Sequence, residues 1–352
     1  MKGLPKVAAR LTHPLPKVGR TPADVVHHEN KWRLLRYRPR PAGPAYRTPV
    51  LMVPSLINRW YILDLMPGKS LVEWLVGQGH DVFMLDWGRP GPEDRYLSFD
   101  DVCDRYLGRA VRIAARSGER GQTHLLGYCM GGTLTAIHTA AHPDRVASLV
   151  QLAAPVAFHD DGLLSVWTRT RTFDVRAIVS ACGIVPPQLT QGAFQMLRPT
   201  LTLTKAAYLL DRQWDDPALD GFLAMERWGN DNVSIPGEFY RRYIQELYRD
   251  DALVQGTFAL SGRPVHLEAI RCPVLNVTFE NDNIVPSSSA AALGDHISST
   301  DQTHLHLAGG HVGAVVSSRA MRTLWPQLSE FWAARDGAAA RPPARIGVSR
   351  AG

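Results

Sequence analysis

The sequence predicts an α/β fold, a mainly parallel sheet with helices on both faces and an inserted helical cap. Three observations predict it. Short apolar runs alternate with helix-like segments up to residue 157, the alternation lapses over 158–251, and the strand pattern resumes at Pro273. Strands separated by helices pair in parallel and need both sheet faces covered.

The strands are Val50–Pro54, Asp81–Asp86, His124–Gly127, Val146–Ala154, Pro273–Phe279 and Thr303–Leu307, each short and mostly buried. Ser70 starts a helix that stops at Gly77 and Gly79. Ser98 with Asp101 forms a capping box for a helix running to about Ser117. Over 158–251 the text is helical, broken at Pro186-Pro187 and Pro236-Gly237, and rich in mixed aromatics and charges from Glu238 to Tyr248. Residues 1–157 and 252–334 therefore form one core, with the basic segment 1–49 included and 158–251 as its cap. An independent second domain is the weaker rival, because both flanks are needed to finish one sheet. The Ala/Arg/Pro/Gly tail 335–352 has too little apolar surface to order itself.

At 352 residues, 45% hydrophobic and 20% charged, the chain has the makings of a sizeable core. That excludes a disordered tail protein, a collagen-like chain and a disulfide-stapled mini-domain. The net charge of +6 sits at the ends, since residues 1–50 hold 11 Lys/Arg against two acidic groups and residues 51–334 sum to −6. Readers of nucleic acid carry a folded basic patch, so nucleic acid is not expected as a partner. The best uncharged apolar run, Val146–Phe158, has 13 residues and is too short for a transmembrane segment. The start is basic without a secretory apolar stretch, which suggests a cytoplasmic protein. Cys103, Cys129, Cys182 and Cys272 stand 26, 53 and 90 residues apart, with no Cys-x-x-Cys pair. Neither a structural disulfide nor a metal is expected, nor any cofactor.

The sharpest feature is His124-Leu-Leu-Gly-Tyr-Cys-Met-Gly-Gly-Thr133, running into the helix-like Leu134–Ala141. It is a Gly-x-nucleophile-x-Gly elbow with Cys129 where serine is usual. Gly127 and Gly131 relieve crowding at a strained strand-to-helix turn, and Gly132 adds to the motif. The following helix points free N–H groups and its positive dipole end at the sulfur, which favours thiolate. In the chain order of α/β-hydrolases an acid and a histidine follow, each just beyond a strand. Glu280-Asn-Asp-Asn-Ile-Val-Pro286 offers Asp282, with Glu280 as competitor, and Ala308-Gly-Gly-His-Val-Gly313 offers His311. Oxyanion donors are expected from the N–H of Met130 and from the loop after Val50–Pro54, either Leu56 or Ser55. A thiolate exchanges readily with a thioester but expels an alkoxide poorly. Cys129 therefore points to acyl transfer from a thioester such as an acyl-CoA, with the cap excluding water.

Over Val18 to Trp332 the chain resembles the catalytic subunit of polyhydroxyalkanoate synthases, most closely the short class III type. The likeness rests on Thr21–Lys31 with Arg36-Tyr-Arg-Pro39, Pro54–Asp64, Asp86-Trp-Gly-Arg-Pro90, Asp94-Arg95, Asp100-Asp101, Gly127–Gly132, Met225-Glu-Arg-Trp228 and Gly309-Gly-His311. It departs at Asn283, where the family usually has histidine, at Val102, which replaces a tyrosine the family has near this position, and at Ala314, where a bulkier group is common. The resemblance implies polymerisation of (R)-3-hydroxyacyl-CoA with release of CoA. Cys129 would carry the growing polyester, His311 would deprotonate the thiol and the incoming hydroxyl, and Asp282 would support His311 or help activate that hydroxyl. Asn58 and Tyr61 would lie on the substrate side. It further implies a homodimer through the cap, a second synthase subunit and attachment to the polymer granule surface. The rival readings are a thioesterase or polyester hydrolase on the same fold, and a catalytically silent granule protein.

Overall fold

The computed structural model describes residues 15–197, 199, 207 and 216–336. The first fourteen residues of the basic amino-terminal segment and all but Arg335 and Asp336 of the expected tail lie outside the described residues. The chain opens with a hairpin of β1 (Ala23–Glu29) and β2 (Trp32–Tyr37), then lays down β3 (Val50–Val53), β4 (Val82–Asp86), β5 (Thr123–Tyr128) and β6 (Val146–Leu152). The cap contributes a two-residue pair, β7 (Ile184–Val185) and β8 (Ile235–Pro236), and a small hairpin follows it, β9 (Ala259–Leu260) with β10 (Arg263–Pro264). The sheet is completed by β11 (Val274–Phe279) and β12 (Gln302–Leu307). Its order is β1-β2-β4-β3-β5-β6-β11-β12, parallel from β4 through β12 and antiparallel at the hairpin end. The architecture is the α/β-hydrolase type that the sequence predicts.

The inner strands are buried on both faces, so they read as continuous apolar runs. Alternation still sorts their side chains. Leu51, Phe83, Leu85, Leu125 and Leu149 pack on one face with Leu107, Val111 and Leu134. Val50, Met52, Met84, Val150 and Val277 pack on the other with Leu71, Leu75, Leu324 and Trp332. Helix α1 (Leu71–Gln78) starts where the Ser70 side chain accepts the N–H of Glu73 and stops at Gly79, whose φ of 99° only glycine adopts readily. Ser98 and Asp101 form the reciprocal capping box at 3.0 and 2.9 Å. The helix they start is a π turn over Asp101–Tyr106 before it becomes α2 (Leu107–Ser117), a distortion the sequence does not signal.

Two other features depart from the sequence reading. The β1–β2 hairpin is not legible as strand, because its arginines look like surface charge. In the structure Arg33 and Arg36 lie across β4 and clasp Asp86 and Asp81. β12 is largely exposed rather than mostly buried, and among the described residues it is the outermost strand of the sheet.

The cap leaves the core at Phe158 and returns at Asp251. Between them lie helices at Leu163–Arg169, Val175–Cys182, Pro187–Leu197, Asp216–Asn230 and Gly237–Arg242, then a π turn at Tyr243–Arg249. One bond joins both roots, as the Phe158 N–H donates to the buried Asp251 carboxylate at 2.8 Å. Phe158 also stacks edge-on against Tyr243 and Tyr248. Asp251→Ala strands a buried N–H and is expected to destabilise the protein by about 1–3 kcal/mol. A lower urea midpoint checks this, and an unchanged one removes the pin.

Candidate active site

β5 lies between β3 and β6, and the chain turns sharply at its end to enter α3 (Met130–Ala141). Cys129 forms that turn with φ 56° and ψ −130°, a conformation that costs a non-glycine residue roughly 1–3 kcal/mol. Its N–H donates to Leu152 O at 3.0 Å and its carbonyl accepts the Gly132 N–H at 2.8 Å. The three glycines are needed for room. A Cβ at Gly127 would stand 2.3 Å from the Gly132 Cα, one at Gly131 2.1 Å from the Val53 carbonyl, and one at Gly132 2.1 Å from the Ala154 Cβ.

Asp282 sits in the turn after β11 and His311 in the loop after β12. These strands are parallel neighbours, so both loops emerge at one end of the sheet. His311 Nδ1 donates to Asp282 Oδ2 at 2.7 Å, while Asp282 Oδ1 accepts the N–H groups of Ile284 and Val285, each at 2.9 Å. The carboxylate is thereby fixed and the imidazole oriented, with the Cys129 sulfur close enough to raise its pKa. Glu280, the competing acid, is exposed. The structure thus brings Cys129, His311 and Asp282 together from three separate loops.

The electrostatics single out this histidine. Burial works against a charged His311, but the Cys129 sulfur and the Asp282 carboxylate outweigh it and raise the imidazole pKa. Burial alone dominates elsewhere, pulling His80 to about 3 and His124 to about 4. The thiols differ too. Cys103 is fully buried and pushed well up, burial pushes Cys272 up to about 12, and Cys182 is exposed, whereas Cys129 is half-buried beside an imidazole.

The expected oxyanion donors lie on adjoining segments. Met130 opens α3, and Leu56 follows β3 in the same apolar cluster. Neither N–H donates to a protein acceptor among the described residues, and the Ser55 N–H is free in the same way. Ser55 Oγ instead accepts the Ile57 N–H at 3.1 Å. Asn58 and Tyr61 are engaged by the cap. The Asn58 amide donates to Asn232, and the Tyr61 hydroxyl to Asp231 at 2.8 Å. Trp228, in the segment Met225–Trp228, donates to Arg59 O at 2.8 Å, so the whole loop is a joint between core and cap.

Three tyrosines that the sequence does not single out complete the site. Tyr128 stacks on His311 with ring centroids 5.2 Å apart and donates to the His311 carbonyl at 3.2 Å. Tyr243 and Tyr248 reach the site from the cap. Burial first raises both pKa values, Cys129 adds to the rise at each and Tyr248 to that of Tyr243, so both are neutral phenols that can donate to an oxygen. The usable signals were the x position of Gly127-Tyr128-Cys129 and the aromatic density of Glu238–Tyr248.

A family model described as the N-terminus of poly-beta-hydroxybutyrate polymerase (PhaC) matches residues 16–75, and one for the alpha/beta hydrolase fold matches residues 48–317. The poly(3-hydroxyalkanoate) polymerase subunit PhaC of Allochromatium vinosum is 35% identical over 89% of this chain and 88% of its own length. Its namesake in Synechocystis is 35% identical over 91% and 86%. The Haloferax mediterranei subunit is 36% identical over 90% of this chain, which spans 65% of that relative. Among solved structures, monoacylglycerol lipase of Paleococcus ferrophilus has a TM-score of 0.55 at 17% identity, covering 87% of this chain and 100% of its own. Monoglyceride lipase of Saccharomyces cerevisiae has 0.56 at 14%, covering 92% and 98%. At such identities the lipases speak to the fold alone. With a third of its residues shared along nearly the whole of two PhaC subunits, the chain belongs to the poly(3-hydroxyalkanoate) polymerase PhaC family, on the α/β-hydrolase fold.

Proposed function

We propose that the protein polymerises (R)-3-hydroxyacyl-CoA into polyhydroxyalkanoate through a covalent thioester on Cys129, releasing CoA. The observation that carries the reading is the His311 imidazole bonded to Asp282 with the Cys129 sulfur beside it. The raised His311 pKa favours transfer of the thiol proton to the imidazole, and a thiolate is the nucleophilic form of a cysteine.

The thiolate attacks the thioester carbonyl, and the N–H groups of Met130 and Leu56 hold the oxygen as it becomes anionic. Collapse breaks the carbon–sulfur bond to CoA, which leaves with the His311 proton. One thioester has replaced another, so the acyl group remains activated. His311, now neutral, takes the proton of an incoming 3-hydroxyl, whose oxygen attacks the Cys129-bound acyl carbon. An ester forms, the sulfur leaves as thiolate, and the imidazolium is restored. Asp282 holds the ring in the tautomer both steps need. The cap closes the site so that an alcohol, not water, takes the acyl group. An insoluble product, a second synthase subunit and a homodimer belong to the same reading as expected partners.

Two measurements test it. With 3-hydroxybutyryl-CoA, CoA is expected to appear faster than free hydroxy acid; equal release would make the protein a thioesterase. Cys129→Ala is expected to abolish CoA release while Cys182→Ala leaves it, and activity surviving in the first variant removes the nucleophile.

Asp282→Asn is expected to slow CoA release on the order of 10²- to 10⁴-fold. The raised His311 pKa implies an imidazolium that persists as pH rises through about 6.5, where an ordinary histidine loses its proton. In the Asp282→Asn variant, which lacks the carboxylate, His311 should titrate at lower pH. Imidazole resonances followed by NMR against pH check the sign, and an unmoved midpoint would show that Asp282 does not hold the charge.

A further inference from the structure

Away from the nucleophile, α3 carries His138 near its far end, and His142, four residues on, caps the helix on the same face. The π turn Asp101–Tyr106 places Asp104 opposite them. One ligand atom of each residue lies within 4.8 Å of the other two, and His142 Nε2 is 2.7 Å from Asp104 Oδ1. Cysteine spacing excludes a thiolate zinc site but says nothing of two histidines one helical turn apart.

The atoms behind this cluster are already held. His138 Nδ1 is 3.2 Å from the Cys103 carbonyl, which can only accept, so Nδ1 carries the proton and Nε2 keeps its lone pair. His138 is 3% exposed. Asp104 Oδ2 accepts the Ser261 hydroxyl at 2.7 Å. The Cys103 carbonyl and the Ser261 hydroxyl are thus outer partners of the kind that orient metal ligands. Metal–ligand bonds of about 2.0–2.2 Å in a tetrahedron separate the ligand atoms by about 3.3 Å, so only small movements are required.

We propose that Asp104, His138 and His142 bind a zinc-type divalent cation. Two imidazoles and a carboxylate suit that ion and leave a fourth position for water. Binding moves the His142 proton from Nε2 to Nδ1, and the lone pair freed replaces the hydrogen bond to Asp104. His138 stands nine residues beyond Cys129, about 13 Å along the helix, so the cation does not touch the reacting sulfur. It fastens the far end of α3 to the π turn and, through Ser261, to the β9–β10 turn.

The test uses the full chain, stripped with a chelator and titrated with zinc against a chromophoric competitor and by thermal unfolding. One equivalent is expected to bind, with Tm raised by about 3–5 °C at a hundredfold excess over Kd. His142→Ala, at a partly exposed position, and Asp104→Asn, which keeps the local shape, should each weaken binding at least tenfold. Cobalt(II) in place of zinc should give no thiolate charge-transfer absorption, which separates this site from uptake by Cys129 and His311. No uptake, uptake unchanged in His142→Ala, or a thiolate band would each overturn the proposal. All of these outcomes are independent of whether the protein releases CoA.

Discussion

Cys129 must hold its sulfur clear of both the strand it ends and the helix it begins. That requirement shapes everything around it. A left-handed backbone at a residue with a side chain is tolerated only where neighbours fix it. Here β5 is clamped between β3 and β6, and α3 packs so closely that three positions admit no Cβ. The same closeness brings the end of β3 against the first turn of α3. Strain and glycines are one arrangement seen from two directions.

The sheet does the rest of the positioning. Asp282 and His311 are far from Cys129 in sequence, yet parallel pairing delivers their loops to the same end of the sheet. Asp282 is fixed by two backbone N–H groups before it touches the histidine, so the imidazole meets a rigid acceptor. Tyr128 then stacks on the ring, limiting its tilt. A fixed carboxylate and a stacked ring hold the imidazole geometry with few moving parts.

Much of this was legible in the sequence because it depends on local chemistry. Apolar runs mark buried strands whatever their neighbours are, Ser70 and the Ser98–Asp101 box mark helix starts, and the elbow announces itself by its glycines. What was hidden depends on partners distant in sequence. Arg33 and Arg36 look like solvent charge until Asp86 and Asp81 are seen beneath them. Asn58 and Tyr61, expected on the substrate side, are bonded to Asn232 and Asp231 of the cap. Tyr243 and Tyr248 could not be told from other cap aromatics, since their place beside Cys129 arises only when the cap folds back. The π turn leaves no residue signature at all, although both Asp104 and the Cys103 carbonyl depend on it.

The bond between Phe158 and Asp251 has a meaning beyond stability. Because exit and return are fastened to each other, the core experiences the inserted helices as it would a tight turn. Insertions that begin and end at one point can grow, shrink or be exchanged with little disturbance to the framework beneath. In evolutionary terms the arrangement is modular: Cys129, Asp282 and His311 stay on the underlying platform, while the inserted helices are free to diversify.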